Sequence, residues 1–241
     1  MQSNYREACA TQFSFGSLAA LLYLQADGIE PITRSSDRIQ LGKAILTRLP
    51  KDASAYRDLD NRGFQLMLNY RNAAEVAQRV RLADVLEGKV DPNLIKNRIV
   101  LIGVTAPVSN ASGFFVTPLT RWGKPSGEMS GVMVEAHAIS QLLSAVLDDR
   151  PLLAVWNPWI EGLWVGGWAV LGGAIALSSR RRIWVWGLAM GISAGGLVWV
   201  SLGLLVGGQW VPLVPAAGAL FAAGAIGRSV SRQKQRRSGV V

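Results

Sequence analysis

The sequence predicts an α/β extracytoplasmic domain followed by three transmembrane α-helices. Three observations carry that expectation. Helical and extended apolar periods alternate through residues 1–150, long apolar runs fill residues 159–227, and charge is divided unequally between the two parts. Residues 1–150 hold 17 basic and 15 acidic residues, whereas residues 151–241 hold eight basic residues against the single acid Glu161. In the apolar part the positive residues fall into two clusters, Arg180–Arg182 and Arg228–Arg237. A basic chain otherwise suggests nucleic acid, but these clusters lack interleaved aromatic residues, so no nucleic-acid partner is expected.

The first element is a helix. In "TQFSFGSLAALLYLQADG" Phe15, Leu18, Leu21 and Leu22 recur at helical spacing, and Gly28 and Pro31 end the run. Its apolar core is about 12 residues, too short to span a bilayer. "GFQLMLNYR" at 63–71 reads as a strand, with Phe64, Leu66, Leu68 and Tyr70 on one face at period two. "LADVLEGKVDP" reads as a short helix closed by Gly88.

"KNRIVLIGVTAP" at 96–107 follows as a strand whose Ile99, Val100, Leu101 and Ile102 suit burial on both faces. Gly103 ends it. A phosphate cradle needs several glycines so that successive backbone N–H groups reach the anion, and this turn has one. Last, "GVMVEAHAISQLLSAVLDD" gives a helix with Val134, Ala138, Leu142 and Val146 on one stripe. Strands separated by helices predict an at least partly parallel sheet.

Crossing about 30 Å of hydrocarbon takes about 20 apolar residues in a helix. Runs at about 159–177, 183–206 and 210–227 meet that length, and Pro212 and Pro215 mark the start of the third. Trp156, Trp159, Trp184, Trp186 and Trp210 lie near the run ends, as an interfacial aromatic belt requires, while Trp168 and Trp199 lie deeper. The positive-inside rule places both arginine clusters in the cytoplasm. The expected layout is an outward domain at 1–155, a membrane region at 156–228 and a basic cytoplasmic tail at 229–241, in a multi-pass protein of the inner (plasma) membrane. Gly187, Gly191 and Gly195, and Ala219, Ala223 and Gly227, recur every four residues, which serves helix packing within one chain or a homodimer seam.

The order of "FQLMLNYR", "LADVLEGKV", "KNRIVLIGVTAP", "FFVTPL" and "GVMVEAHAISQLLSAVLDDRPLL", followed by three spans, resembles the type-two CHASE domain. That family comprises extracellular sensory modules of bacterial signalling proteins and is common in cyanobacteria. The resemblance implies a leading transmembrane helix, the outward domain, three further helices and a cytoplasmic kinase or cyclase output. These 241 residues carry neither the leading helix nor the output, so output is expected from a separate signalling protein. The acidic residue that the family often places before "F-x-TP" is also missing from "SNASGFFVTP".

Thr105 at the strand end, Thr117 in "FFVTP", and His137 with Gln141 one helical turn apart are the candidate ligand-binding residues. A pocket between the "GVTAP" turn and the N-terminus of the last helix would favour an anionic or carbonyl-bearing small molecule, whose identity the residues do not specify. Each candidate also has a bland role: Thr105 in local backbone bonding, Thr117 in loop geometry, His137 as a structural core residue. Arg71 with Asp149 and Arg150 is an expected ion-pair group. Cys9 and His137 are the only residues of their types. No metal site, cofactor, catalytic group or enzymatic activity is therefore expected. The expected function is transmembrane sensing. The alternative is a non-catalytic membrane-anchored structural or interaction protein, or the remnant of a longer gene.

Overall fold

The computed structural model describes residues 13–54, 56, 58–60, 63–71, 76–105, 113–121, 128–178 and 182–238. Arg180, Arg181 and residues 106–112, including the end of the "GVTAP" turn and most of "SNASG", lie outside that set. The chain divides into two compact units, one of residues 1–47 and 68–152, the other of 48–67 and 153–241.

In the first unit α1 (Phe15–Ala26) begins where the Ser14 hydroxyl caps the Ser17 N–H at 3.4 Å. It ends in a left-handed turn at Gly28 (φ +74°), where the N–H groups of Gly28 and Ile29 return to the carbonyls of Gln25 and Leu24. A second helix, α2 (Leu82–Leu86), closes in the same way at Gly88 (φ +68°), with Lys89 N–H on Asp84 O. Both stops are where glycine places them.

Between α1 and α2 lies an antiparallel meander that the sequence reading did not anticipate: β1 (Pro31–Ser35), β2 (Arg38–Leu41) and β3 (Ala44–Thr47). Leu41 pairs with Ala44, leaving Gly42 (φ +58°) and Lys43 as a two-residue hairpin loop. Leu41 and Leu46 are buried and most of the remaining strand residues are exposed, so the sheet covers the core on one side only.

The expected partly parallel sheet is corrected accordingly. Residues 64–71 and 99–105 are assigned no strand among the described residues, and the first unit's sheets are antiparallel. The backbone of residues 69–71 is held by side chains of the helix at Gly131–Leu147 and of Arg150 in place of a neighbouring strand. The parallel pairing that exists, β6 (Ala154–Val155) with β7 (Gln209–Trp210), lies in the second unit.

The unit's central helix is α4 (Gly131–Leu147), which follows β4 (Phe114–Phe115), α3 (Pro118–Arg121) and β5 (Met129–Ser130). It packs on α1, where Gly16 permits close approach: a Cβ there would lie 2.5 Å from Glu135 Oε2. Its buried residues include Met133, Ala136, His137, Ile139, Gln141, Leu142 and Ser144. The expected stripe through Val134 and Ala138 is thus shifted, because those two are half-buried and a polar row occupies the covered face.

The second unit contains three helices long and apolar enough to cross a membrane: α5 (Pro158–Ser178), α6 (Ile183–Val206) and the Leu213–Ser231 part of α7 (Leu213–Ser238). Trp159, Leu163, Trp199 and Val206 are exposed on their outer surface, as a lipid-facing side requires. The third helix starts three residues later than expected, since Gln209 and Trp210 pair with Ala154 and Val155.

Of the two expected small-residue stripes, the one on α6 is corrected, whereas Gly227 of the one on α7 does pack within the chain. Cβ positions of Gly187, Gly191 and Gly195 face open space. Instead, a Cβ on Gly172 would collide with the Leu220 carbonyl and crowd the Gly224 amide, and one on Gly227 would lie 3.0 Å from Ala176 Cβ. Small residues on α5 and α7 therefore bring those two backbones together. Trp156, just before α5, meets Trp164 edge to face and Trp164 meets Trp168 in the same way, and Arg228 lies 5.2 Å from the Trp186 ring centre.

Candidate functional site

The polar row of α4 meets the segment Asn69–Arg71. Four residues of helix advance about 6.0 Å and two residues of extended chain about 6.6 Å. Side chains one helical turn apart can therefore reach alternate backbone N–H groups of an extended segment. Gln141 and His137 do this: Gln141 Oε1 accepts the Asn69 N–H at 2.5 Å, and His137 Nδ1 accepts the Arg71 N–H at 3.3 Å.

The carbonyl side of the same segment is held from the end of α4. Asp148 caps the helix, and Asp149 turns left-handed (φ +53°), so that the Arg150 N–H bonds Ser144 O at 3.0 Å. The Arg150 guanidinium Nη2 then donates to Asn69 O at 3.3 Å and Tyr70 O at 3.4 Å. Tyr70 meets the His137 ring edge-on, with centres 5.1 Å apart. The expected ion-pair group is changed: Arg71 Nη2 pairs with Asp148 Oδ2 at 3.8 Å, because Asp149 is used for the turn and Arg150 for the carbonyls.

Electrostatics follow from this burial. His137 is 1% exposed. Burial first, and the nearby Arg150 charge second, push its pKa below the ordinary 6.5, so it is neutral at pH 7. Since Nδ1 accepts a hydrogen bond, the proton of the neutral ring sits on Nε2, which is buried without a partner among the described residues. Arg150 Nη1 is likewise buried and unpartnered. Burial and then Arg71 lower the Arg150 pKa, and burial raises that of Tyr70. Two buried donors are thus left without a partner among the described residues, and a carboxylate or carbonyl oxygen is the chemistry that would answer such a donor.

The other two candidates lie elsewhere. Thr117 is buried and serves the start of α3: its N–H bonds Thr120 Oγ1 at 2.9 Å, and the Thr120 hydroxyl returns to Thr117 O at 3.0 Å. Thr105 is exposed. Two residues before it, a Cβ on Gly103 would lie 2.7 Å from Val132 Cβ, so this glycine lets residues 99–105 approach the first turn of α4. The Gly131 N–H at that helix start is occupied by Gly113 O at 2.6 Å. The structure thus brings His137 and Gln141 together on one backbone segment and does not bring Thr105 or Thr117 to it. Arg150 and Tyr70 complete the cluster as residues the sequence reading did not assign to a ligand site. Among the described residues no cluster of His, Cys, Asp and Glu could hold a metal ion.

Comparison with known proteins gives one family. The family model of the CHASE2 domain matches residues 1–174. No curated protein and no solved structure matches the chain.

Proposed function

This chain belongs to the CHASE2 domain family, and from that premise we propose that it is a transmembrane signal-sensing protein. CHASE2 is a sensory domain of signalling proteins. The observation that carries the reading is continuity: the family match extends to residue 174, well inside α5, so sensory module and first apolar helix form one recurring piece of chain.

In this reading the domain faces outward, the arginine-bearing ends face the cytoplasm, and the protein is not an enzyme. A small anionic or carbonyl-bearing ligand, or a protein partner, binds outside and biases the membrane helices toward one of two arrangements, which a cytoplasmic output reads. The His137, Gln141 and Arg150 cluster suits the relay. It holds Asn69–Arg71 immediately after the chain enters the first unit at residue 68, and Arg150 lies two residues before the unit ends at 152. A ligand acceptor on His137 Nε2 and Arg150 Nη1 would compete for the guanidinium that holds those carbonyls.

Amide exchange of the full chain in lipid nanodiscs tests this, with acetate, succinate and citrate as probes. One of them is expected to change exchange at Asn69 and Arg71 in the wild type and not in R150M. Identical exchange with all three would remove the small-carboxylate reading.

A membrane-anchored structural or interaction protein is the second reading. It is favoured by the intramolecular bonds that already occupy Thr117, Gln141 and His137 Nδ1.

A further inference from the structure

The second unit contains a cavity of about 580 Å³, within the usual size range of small-molecule sites. It lies where α5 begins, α6 ends and α7 begins. Its walls are mostly apolar, from Val165, Leu202, Leu205, Trp210 and Val211 to Pro215. Four polar residues interrupt them: Asp52 and Ser54 from the 48–67 segment, Glu161 on α5 and Ser201 on α6. Among the described residues no Lys or Arg lines it.

Two of those polar groups are anomalous as structural elements. Glu161 is the only acid in residues 151–241, and its Oε1 is buried without a partner among the described residues. A carboxylate kept in an apolar helix is costly unless something answers it. Ser201 is 6% exposed, and its hydroxyl is also unpartnered among the described residues. Serines in helices ordinarily return their hydroxyl to the carbonyl four residues back, as Ser229 does to Ala225 O and Ser231 to Gly227 O in α7. Ser201 lines the cavity without making that bond.

We propose that this cavity binds an amphipathic cation, an ammonium head on a hydrocarbon body. Glu161 and Asp52 supply the negative charge, Ser201 accepts an N–H, and the apolar wall around Trp210 takes the hydrocarbon. An anionic amphiphile would meet two carboxylates and, among the described residues, no compensating cation. A neutral hydrocarbon would leave Glu161 Oε1 and Ser201 Oγ unanswered. The chemistry is that of a free hydrophobic amine or of an aminophospholipid headgroup. The site is separate from the His137 cluster and stands whether or not that cluster senses a ligand.

The test is equilibrium dialysis of 6-phenylhexylammonium, with 6-phenylhexanoate as its oppositely charged counterpart, against the full chain in phosphatidylcholine nanodiscs. Saturable binding of the ammonium beyond that of empty nanodiscs is expected, with none of the carboxylate. E161Q is expected to weaken it about tenfold or more, as loss of a buried charge partner does. S201A is expected to weaken it less. A Cβ on Gly162, which also lines the cavity, meets nothing within 4 Å, so G162L should fill the space and abolish binding with the thermal melt unchanged. Should E161Q fail to fold, G162L alone decides. Adding phosphatidylethanolamine identifies the source: displacement of the probe assigns the site to the lipid headgroup, and undiminished binding assigns it to a free amine. Equal uptake of ammonium and carboxylate, or undiminished binding in G162L, overturns the proposal.

Discussion

The imidazole Nδ1 of His137 accepts the backbone N–H of Arg71 at 3.3 Å, across 66 residues of sequence. An extended segment with no ladder partner on this side among the described residues is thereby held by a helix side chain. Removing that acceptor leaves a part-buried N–H unpaired, which costs about 1–3 kcal/mol. H137A is accordingly expected to speed exchange of the Arg71 amide by about 5–150-fold, with amides of α1 less affected. Site-resolved hydrogen exchange measures this, and equal acceleration throughout the unit would contradict a local role.

The same histidine sets a pH dependence. Its pKa is lowered in the folded protein by burial, then by Arg150, relative to 6.5 when exposed. The unfolded chain therefore binds the proton more readily, and stability rises with pH through that interval. Its contribution is fully present above about pH 6.5 and is lost as pH falls through the lowered pKa. Denaturant melts from pH 7.5 down to pH 4.5 should show a loss of stability that H137Q reduces and R150Q partly reduces; these pH limits are about two units below and one above the reference value. A slope unchanged in H137Q would refute the assignment.

Gly103 and Thr105 separate packing from ligand binding in "GVTAP". A Cβ on Gly103 meets Val132, so G103A should cost about 1–3 kcal/mol by overpacking. Thr105 is exposed, and T105A should stay within about 0.5 kcal/mol of the wild type. Thermal melts of both variants decide.

Glycines of the membrane helices divide in the same manner. G172A forces α5 from the α7 backbone at Leu220 and should destabilise the chain in detergent by about 1–3 kcal/mol or more. G191A points into open space and should change the melt by no more than about 0.5 kcal/mol.

What the sequence made legible follows the range of the interactions. The helices were readable because periodicity, Gly28 and Gly88 act within a few residues, and the membrane runs were readable from length. The meander at 31–47 has one local signal, "LGKA" between two short apolar pairs, which marks a two-residue hairpin at Gly42. Segment 63–71 has strand periodicity and 99–102 the continuous apolar run of a buried strand, but neither pattern names a partner. For 69–71 the partners are the polar row of α4 and Arg150 beyond its end, 66 to 81 residues away. His137 and Gln141 were recognisable as a pair by their spacing. Their targets are backbone groups, which carry no signature in side-chain identity, and Arg150 was assigned to an ion pair because its reach back to Asn69 depends on the left-handed turn at Asp149. The Gly187, Gly191 and Gly195 stripe shows that small-residue spacing marks a packing surface without saying which helix, if any, fills it.

The outward orientation of the sensory domain is the claim on which the account depends most, and cysteine labelling tests it directly. With Cys9 replaced by Ser, single cysteines are placed at Ser36 in the exposed β1–β2 turn and at Ser178 at the exposed end of α5. A membrane-impermeant maleimide added to intact cells is expected to label S36C and to reach S178C only after lysis. Labelling of S178C in intact cells with S36C protected would place the sensory domain in the cytoplasm and contradict the account.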